Sequence, residues 1–413
     1  MSSGITVKRK GKINLGIWIN ESYHKVVNSI AFYPAIIAFL FLIFSVLSIS
    51  FDFSDEGKQL KSQWQWLRLK DPSTARSIIS SIAAGVISLT VFSFSMVMIV
   101  LNQTASQMSN RILDKLIGSR FQQIVLGIYV GTIVYALFLL STIRDVDEGI
   151  HIPALSTYML IAITICDIFL FIYFLHYITQ SVKYDVIIRR IHQETKDALE
   201  GTCNLESVTQ PCNTFTNGSI IRTERSGIFE GVSEPTLIGI CDKIDSTVLI
   251  LPTPGSFLLK GAKVGQSDKE LTEEAVGQIL SAIYIHEAES IEGNFFYGFR
   301  QLSEVAVKAL SPGINDPGTA IQALRALFEL LSYSVCHYHD NVIRNKEGKV
   351  RIIKADLTFE KIFTVTVMPV WDYGKNDRWV KSEMKNLLEQ LQSITRHRSI
   401  SNLLVEIDTY KAI

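Results

Sequence analysis

The sequence predicts an α-helical integral membrane protein with four transmembrane helices, followed by a mixed α/β cytoplasmic C-terminal domain. Three observations carry this. Of 413 residues, 47% are hydrophobic and only 19% charged, giving a mean hydropathy of +0.24, high for a soluble globular chain. Four long apolar runs without lysine or arginine fill the first 180 residues. Beyond them, short apolar runs alternate with glycine, proline, serine and aspartate, as in a domain of helices and strands.

A spanning helix needs about 20 mainly apolar residues, because each adds about 1.5 Å across about 30 Å of hydrocarbon. The runs at about 30–51, 78–101, 124–142 and 158–178 meet that length. They are too long, and alternate too little, for barrel strands. The segment 1–29 carries Lys8, Arg9, Lys10 and Lys12, and the run behind it is too long for a signal-peptide core, so it reads as a cytoplasmic N-terminal segment before a retained helix.

Basic residues flanking the spans set the orientation. Twelve fall on the side of the N-terminus, the second loop (Arg111, Lys115, Arg120) and the stretch after the fourth run; six fall opposite, including Lys58, Lys61 and Arg144. Both termini are therefore expected in the cytoplasm, with Trp64 and Trp66 as interfacial anchors in the first loop. Forty basic residues balance forty acidic ones, which excludes a global field for nucleic acid. The expected partners are the lipid bilayer and further copies of the chain as a homo-oligomer, with any cytosolic protein partner or small ligand unidentified. Cys166, Cys203, Cys212, Cys241 and Cys336 show no metal-ligand spacing and read as free thiols, so no metal is expected.

The second run carries polar residues every seven positions: Thr74, Ser81, Ser88, Ser95, Asn102 and Ser109. Seven residues are about two helical turns, so these side chains form one slowly drifting stripe. It reads either as the wall of a water-lined path or as a seam of small residues that lets helices approach closely, with Gly85 nearby. In the fourth run Asp167 lies near mid-span, where a charged carboxylate is costly. It is either a proton or cation site, or an acid that is protonated or hydrogen-bonded to a seam hydroxyl. His176, near the interface, takes no role.

A stalk and linker occupy 181–218, the linker being rich in Thr, Asn, Ser and Gly around Pro211. A β-rich subdomain is expected over 219–265, with SIIRT, LIGIC, TVLIL and SFLLKG as strands of a small barrel or sandwich and TPGSFLLKGAKVG as a hairpin. The remainder, 266–413, reads as α/β: helices over Leu271–Ile285, Phe295–Leu310 and Lys381–Ile394, and strands over Arg351–Leu357, Ile362–Met368 and Asn402–Ile407. Neither G-x-x-x-x-G-K-[ST] nor G-x-G-x-x-G is present, so no nucleotide cofactor is expected, nor any other. In SPGINDP, Pro312 and Gly313 stop one helix, while Asp316 and Pro317 fit an N-cap and first-turn proline of the next. Asn315 and Asp316 are alternatively an ion site at the helix start.

The stretches ASQMSNRILDKLIGSRFQQIVLGIYVGTIVYALFLL, FIYFLHYI and above all YGFRQLSEVAVKALSPGINDPGTA resemble a family of predicted bacterial inner-membrane proteins catalogued as a domain of unknown function. The resemblance covers nearly the whole chain. It implies four membrane helices with a cytosolic C-terminal domain, and no activity. Members commonly show Ser-Pro-Arg where this chain has Ser109, Asn110 and Arg111, which would let the second helix run further. The functions left standing are an oligomeric channel-like protein lined by the second helix and regulated by the soluble domain, or a membrane-anchored regulatory or scaffolding protein. A membrane enzyme ranks behind both, because G-x-S-x-G and H-E-x-x-H are missing.

Overall fold

The structure is a computed structural model that describes residues 32–63, 71–107, 120–143, 152–181, 183–202, 215, 218–286, 289, 291, 294–336, 341–355 and 357–410. Trp64, Trp66, Ser109, Asn110, Arg111, Cys203, Cys212 and the N-terminal basic segment lie outside them. Two units divide the described chain, one before and one after residue 182.

The first unit holds four apolar helices long enough to cross a bilayer: α1 (Phe32–Phe53), α3 (Pro72–Gln107), α4 (Arg120–Thr142) and α5 (Ala154–Ser181), with a short polar α2 (Asp55–Gln63) after α1. Their lipid-facing sides stay uncovered: Phe39, Leu47, Val91, Ile99 and Phe169 are all more than 60% exposed. Lipid tails are as apolar as leucine, so close packing rather than exclusion from water must hold these helices together.

Helix α4 is the central element, burying Val125, Gly127, Tyr129, Gly131, Tyr135 and Leu139 among others. Gly127 and Gly131 form a G-x-x-x-G against α1. A methyl group placed on either would lie 2.6 Å from Ile37 Cδ1 or from the Phe41 ring, so glycine is what lets these helices meet. Ala75, Ile79 and Ala83 of α3 pack with Tyr135, Ala136, Leu139 and Leu160, and Val86 joins Val125, Tyr129, Phe174 and Ile178.

The second unit begins with α6 (Tyr184–Thr202). Its strands are β1 (Ile220–Arg222), β2 (Gly227–Val232), β3 (Val248–Ile250), β4 (Phe257–Leu258), β5 (Lys263–Ser267), β6 (Ile283–His286), β7 (Val342–Arg344) and β8 (Val350–Lys354). They form a five-stranded sheet, β1-β5-β3-β8-β7, and a three-stranded sheet, β4-β2-β6. No closed barrel forms among the described residues; the part is sandwich-like. Among the described strands only β3 and β8 run parallel, with Val248 opposite Ile352. Helices α7 (Glu234–Ile244) and α8 (Glu273–Ser281) share one core with both sheets through Leu237, Ile240, Ile279, Phe229, Val248 and Ile352. Because β6, β7 and β8 belong to these sheets, strand pairing crosses the boundary expected at residue 265.

The rest is helical: α9 (Phe295–Ala309), α10 (Pro317–Cys336), α11 (Phe359–Thr366), α12 (Met368–Gly374), α13 (Arg378–Ile394) and α14 (Arg398–Thr409). Helix α9 packs against α6, α10, α11 and α12. At Gly298 an added methyl group would collide with the Thr195 side chain of α6.

Several local expectations are corrected. LIGIC lies in α7: Pro235 opens the helix, and Leu237, Ile240 and Cys241 bury one face at helical spacing. Ile362–Met368 falls in α11 and the start of α12, with Thr358 Oγ1 accepting from the Lys361 amide as cap. Asn402–Ile407 lies in α14, where Ile400, Leu403 and Ile407 are the buried face. In all three, β-branched content points to strand while the spacing of buried residues is helical. The Leu271–Ile285 helix is shorter than expected: Thr272 caps α8, and from Ile283 burial alternates as in a strand. TPGSFLLKGAKVG is not a hairpin, since β4 pairs with β2 whereas β5 pairs with β1 and β3.

Candidate functional site

The polar stripe of α3 faces outward. Ser81, Ser88, Ser95 and Asn102 are exposed on the first unit. Ser88 Oγ donates to the Ala84 carbonyl at 2.9 Å and Ser95 Oγ to the Val91 carbonyl at 2.8 Å. Each of these hydroxyls is thus turned back onto its own helix. The buried face of α3 is the opposite one, Ala75, Ile79, Ala83, Val86 and Ser93. At about 100° per residue, Ser93 points away from Ser88 and Ser95.

Asp167 is buried in α5, only 1% exposed. It does not meet the stripe. Its polar neighbours are Tyr129 and Thr132 of α4, and Tyr129 in turn lies beside Ser93 of α3. All four side chains are at least 97% buried. Thr132 Oγ1 donates to the Ile128 carbonyl at 3.0 Å. Both Asp167 carboxylate oxygens, the Tyr129 hydroxyl and Ser93 Oγ lie near these neighbours but outside hydrogen-bonding geometry. Ser93 sits off the seven-residue series, so periodicity gave no reason to single it out.

A second polar cluster ties helix ends together. Asp52, at the end of α1, is fully buried and accepts from Lys61 Nζ at 2.6 Å and from the Ser156 amide at 2.8 Å. It therefore caps the N-terminus of α5, where a carboxylate is favoured. Ser48 bonds Tyr135 and Ser156, and the Tyr135 hydroxyl donates to the Ser156 carbonyl at 3.0 Å. Asp52 stands just past the first apolar run, where an acid attracts no notice; its only local signal is Lys61, nine residues on.

In the soluble unit, the Asp316 amide bonds the Ala309 carbonyl at 2.8 Å, closing the end of α9, and Asn315 takes a left-handed φ of 47°. Asp316 Oδ1 accepts from the Thr319 amide at 3.1 Å and Oδ2 from the Thr319 hydroxyl at 2.6 Å. The Thr319 hydroxyl and then its amide hold the Asp316 carboxyl below the usual carboxylate range. That carboxylate is committed to capping α10, which Pro317 opens, while Pro312 and Gly313 are exposed in the turn. Among the described residues no three His, Cys, Asp or Glu side chains gather as a metal site. Cys166 and Cys241 are free thiols, and burial pushes Cys241 up to about 11, away from reactivity.

A family model described as "Predicted membrane protein (DUF2254)" matches residues 27–390. Uncharacterized proteins of Mycobacterium tuberculosis and Mycobacterium bovis are each 24% identical over 330 residues, which is 77% of this chain and 63% of theirs. The chain thus spans under two thirds of the length of those relatives. No solved structure matches.

Proposed function

The chain belongs to the family of predicted membrane proteins described as DUF2254, and on that premise we propose that it is a homo-oligomeric, channel-like protein of the bacterial inner membrane. Copies meet along the Ser81–Asn102 face of α3 and enclose a path, with both termini and the α/β unit in the cytoplasm, where the unit regulates. The observation that carries this reading is the outward aspect of the stripe: its polar residues are exposed on the four-helix unit instead of buried in it. Small hydroxyls along a shared axis suit an ion that has shed part of its water. No catalytic step and no nucleic acid belong to the proposal.

The test is reconstitution in liposomes. Ion flux above that of empty vesicles, reduced by Ser88→Leu, together with disulfide cross-linking of Ser88→Cys between copies, is the expected result. Flux at background despite correct insertion would remove the conduit. A second reading is a membrane-anchored regulatory or scaffolding protein, favoured by the hydroxyls of Ser88 and Ser95 that bond their own helix and need no water. Under it, Ser88→Cys still cross-links but no ion passes.

A further inference from the structure

We propose that Asp167 anchors a binding site for a monovalent metal cation, sodium in the first instance, inside the four-helix unit, with Tyr129, Thr132 and Ser93 as the other oxygen donors. The site draws on three helices, α3, α4 and α5, and each contributing side chain is at least 97% buried.

A buried carboxylate needs a partner for its charge. Ionised and unpaired in an apolar interior, it must take up a proton or a cation. No lysine or arginine lies inside the four apolar runs, and the nearest cation on α3, Arg76, donates to the Ile143 carbonyl. A proton would neutralise Asp167 but engage one oxygen at a time. As placed, the Ser93 and Tyr129 hydroxyls stand outside hydrogen-bonding geometry with that carboxyl, and a polar group without a partner in the interior is costly. A cation drawn in among these groups takes lone pairs from all of them at once. Thr132 fits the same role, because its hydrogen is spent on the Ile128 carbonyl and its remaining lone pairs are free to coordinate.

Charge and donor type select the ion. One carboxylate balances one positive charge, whereas a divalent ion would leave net charge in the interior and ordinarily collects more carboxylates; no cluster of three acids or imidazoles lies among the described residues. The donors are hard oxygens, with no thiolate or imidazole among them, which disfavours transition metals. The bound ion would pin α3 to α4 and α5 on the side of α3 opposite the Ser81–Asn102 stripe. The site thus stands apart from the question of whether copies meet along that stripe.

The experiment is thermal unfolding of the full-length protein in detergent at mildly alkaline pH, with choline chloride replaced by sodium or potassium chloride at constant ionic strength. The expected result is a saturable rise in Tm with sodium, absent in Asp167→Asn, with half-saturation at least several-fold higher in Ser93→Ala and Tyr129→Phe. Should Asp167→Asn fail to fold, equilibrium binding of radioactive sodium to the wild-type protein, competed by acid, reads the same site. Equal unfolding in sodium and choline, or an unchanged sodium response in Asp167→Asn, would overturn the proposal. So would the infrared band of a protonated carboxyl that persists in saturating sodium and vanishes in Asp167→Asn.

Discussion

Asp52 and Ser156 are 104 residues apart, yet the carboxylate of the first accepts the backbone amide of the second at 2.8 Å, joining the end of α1 to the start of α5. Lys61, 19% exposed, completes the arrangement at 2.6 Å. Removing one member of a buried pair leaves the other uncompensated, so Asp52→Ala should lower the stability of the membrane unit by about 3 kcal/mol. Asp52→Asn, which retains an acceptor for the Ser156 amide, should cost less. Lys61→Met should be damaging alone and milder in the presence of Asp52→Asn, since the two residues share one interaction. Unfolding titrations in mixed detergent micelles measure all four proteins.

The contact between Gly131 and Phe41 yields a second prediction. A Cβ at Gly131 would lie 2.6 Å from the ring, so Gly131→Val should force α1 away from α4 and depress Tm strongly. Phe41→Ala should recover part of that loss by opening the space, at the cost of a cavity elsewhere in the seam. If Gly131→Val were as stable as wild type, close helix approach would not be what holds α1 in place.

Much of this architecture is legible in the sequence because lipid imposes a length and a composition that no soluble core imitates. The spans of α1, α3, α4 and α5 follow from that alone. The G-x-x-x-G of Gly127 and Gly131 is also visible in the chain, but which helix fills it is not. The polar stripe is readable as a stripe, whereas its outward aspect depends on which side of α3 carries Ala75, Ile79 and Ala83 to α4. The neighbours of Asp167 are tertiary: Ser93 and Tyr129 come from other helices, and spacing along one helix favours Ser88 and Ser95. In the soluble unit, apolar runs such as Leu237–Cys241 are short enough that strand and helix patterns overlap. There Pro235 and the cap at Asp245 decide the outcome.

Gly298 and Thr195 offer a test within the soluble unit. Helices α9 and α6 approach so closely there that a methyl group on Gly298 would overlap the Thr195 side chain. Gly298→Ala should therefore destabilise the unit, although alanine favours a helix over glycine by about 1 kcal/mol. Adding Thr195→Ala should restore most of the loss. Limited proteolysis of the single and double variants distinguishes this steric effect from a loss of intrinsic helicity, which the double variant would not repair.

The acid response of the soluble unit follows from Arg351. Its side chain, 7% exposed, donates to Asp242 at 2.7 Å and to Asp245 at 3.1 Å, linking the end of α7 to β8. Asn345 and then Arg351 hold the Asp242 carboxyl below its ordinary value, and Lys269 and then Arg351 do the same for Asp245. A carboxylate depressed in the folded state contributes stability that is complete above its unfolded pKa of about 3.9 and is lost as pH falls through the lower folded value. Hydrogen exchange at β3 and β8 should accordingly rise as pH drops below about 4, after correction for intrinsic rates. Both acids face solvent, so the change should be modest and weaken with added salt. In Arg351→Met the step should shrink but not vanish, because Asn345 and Lys269 still hold the two carboxylates. A step of unchanged size in that variant would mean that the arginine is not the group to which the acids are tuned.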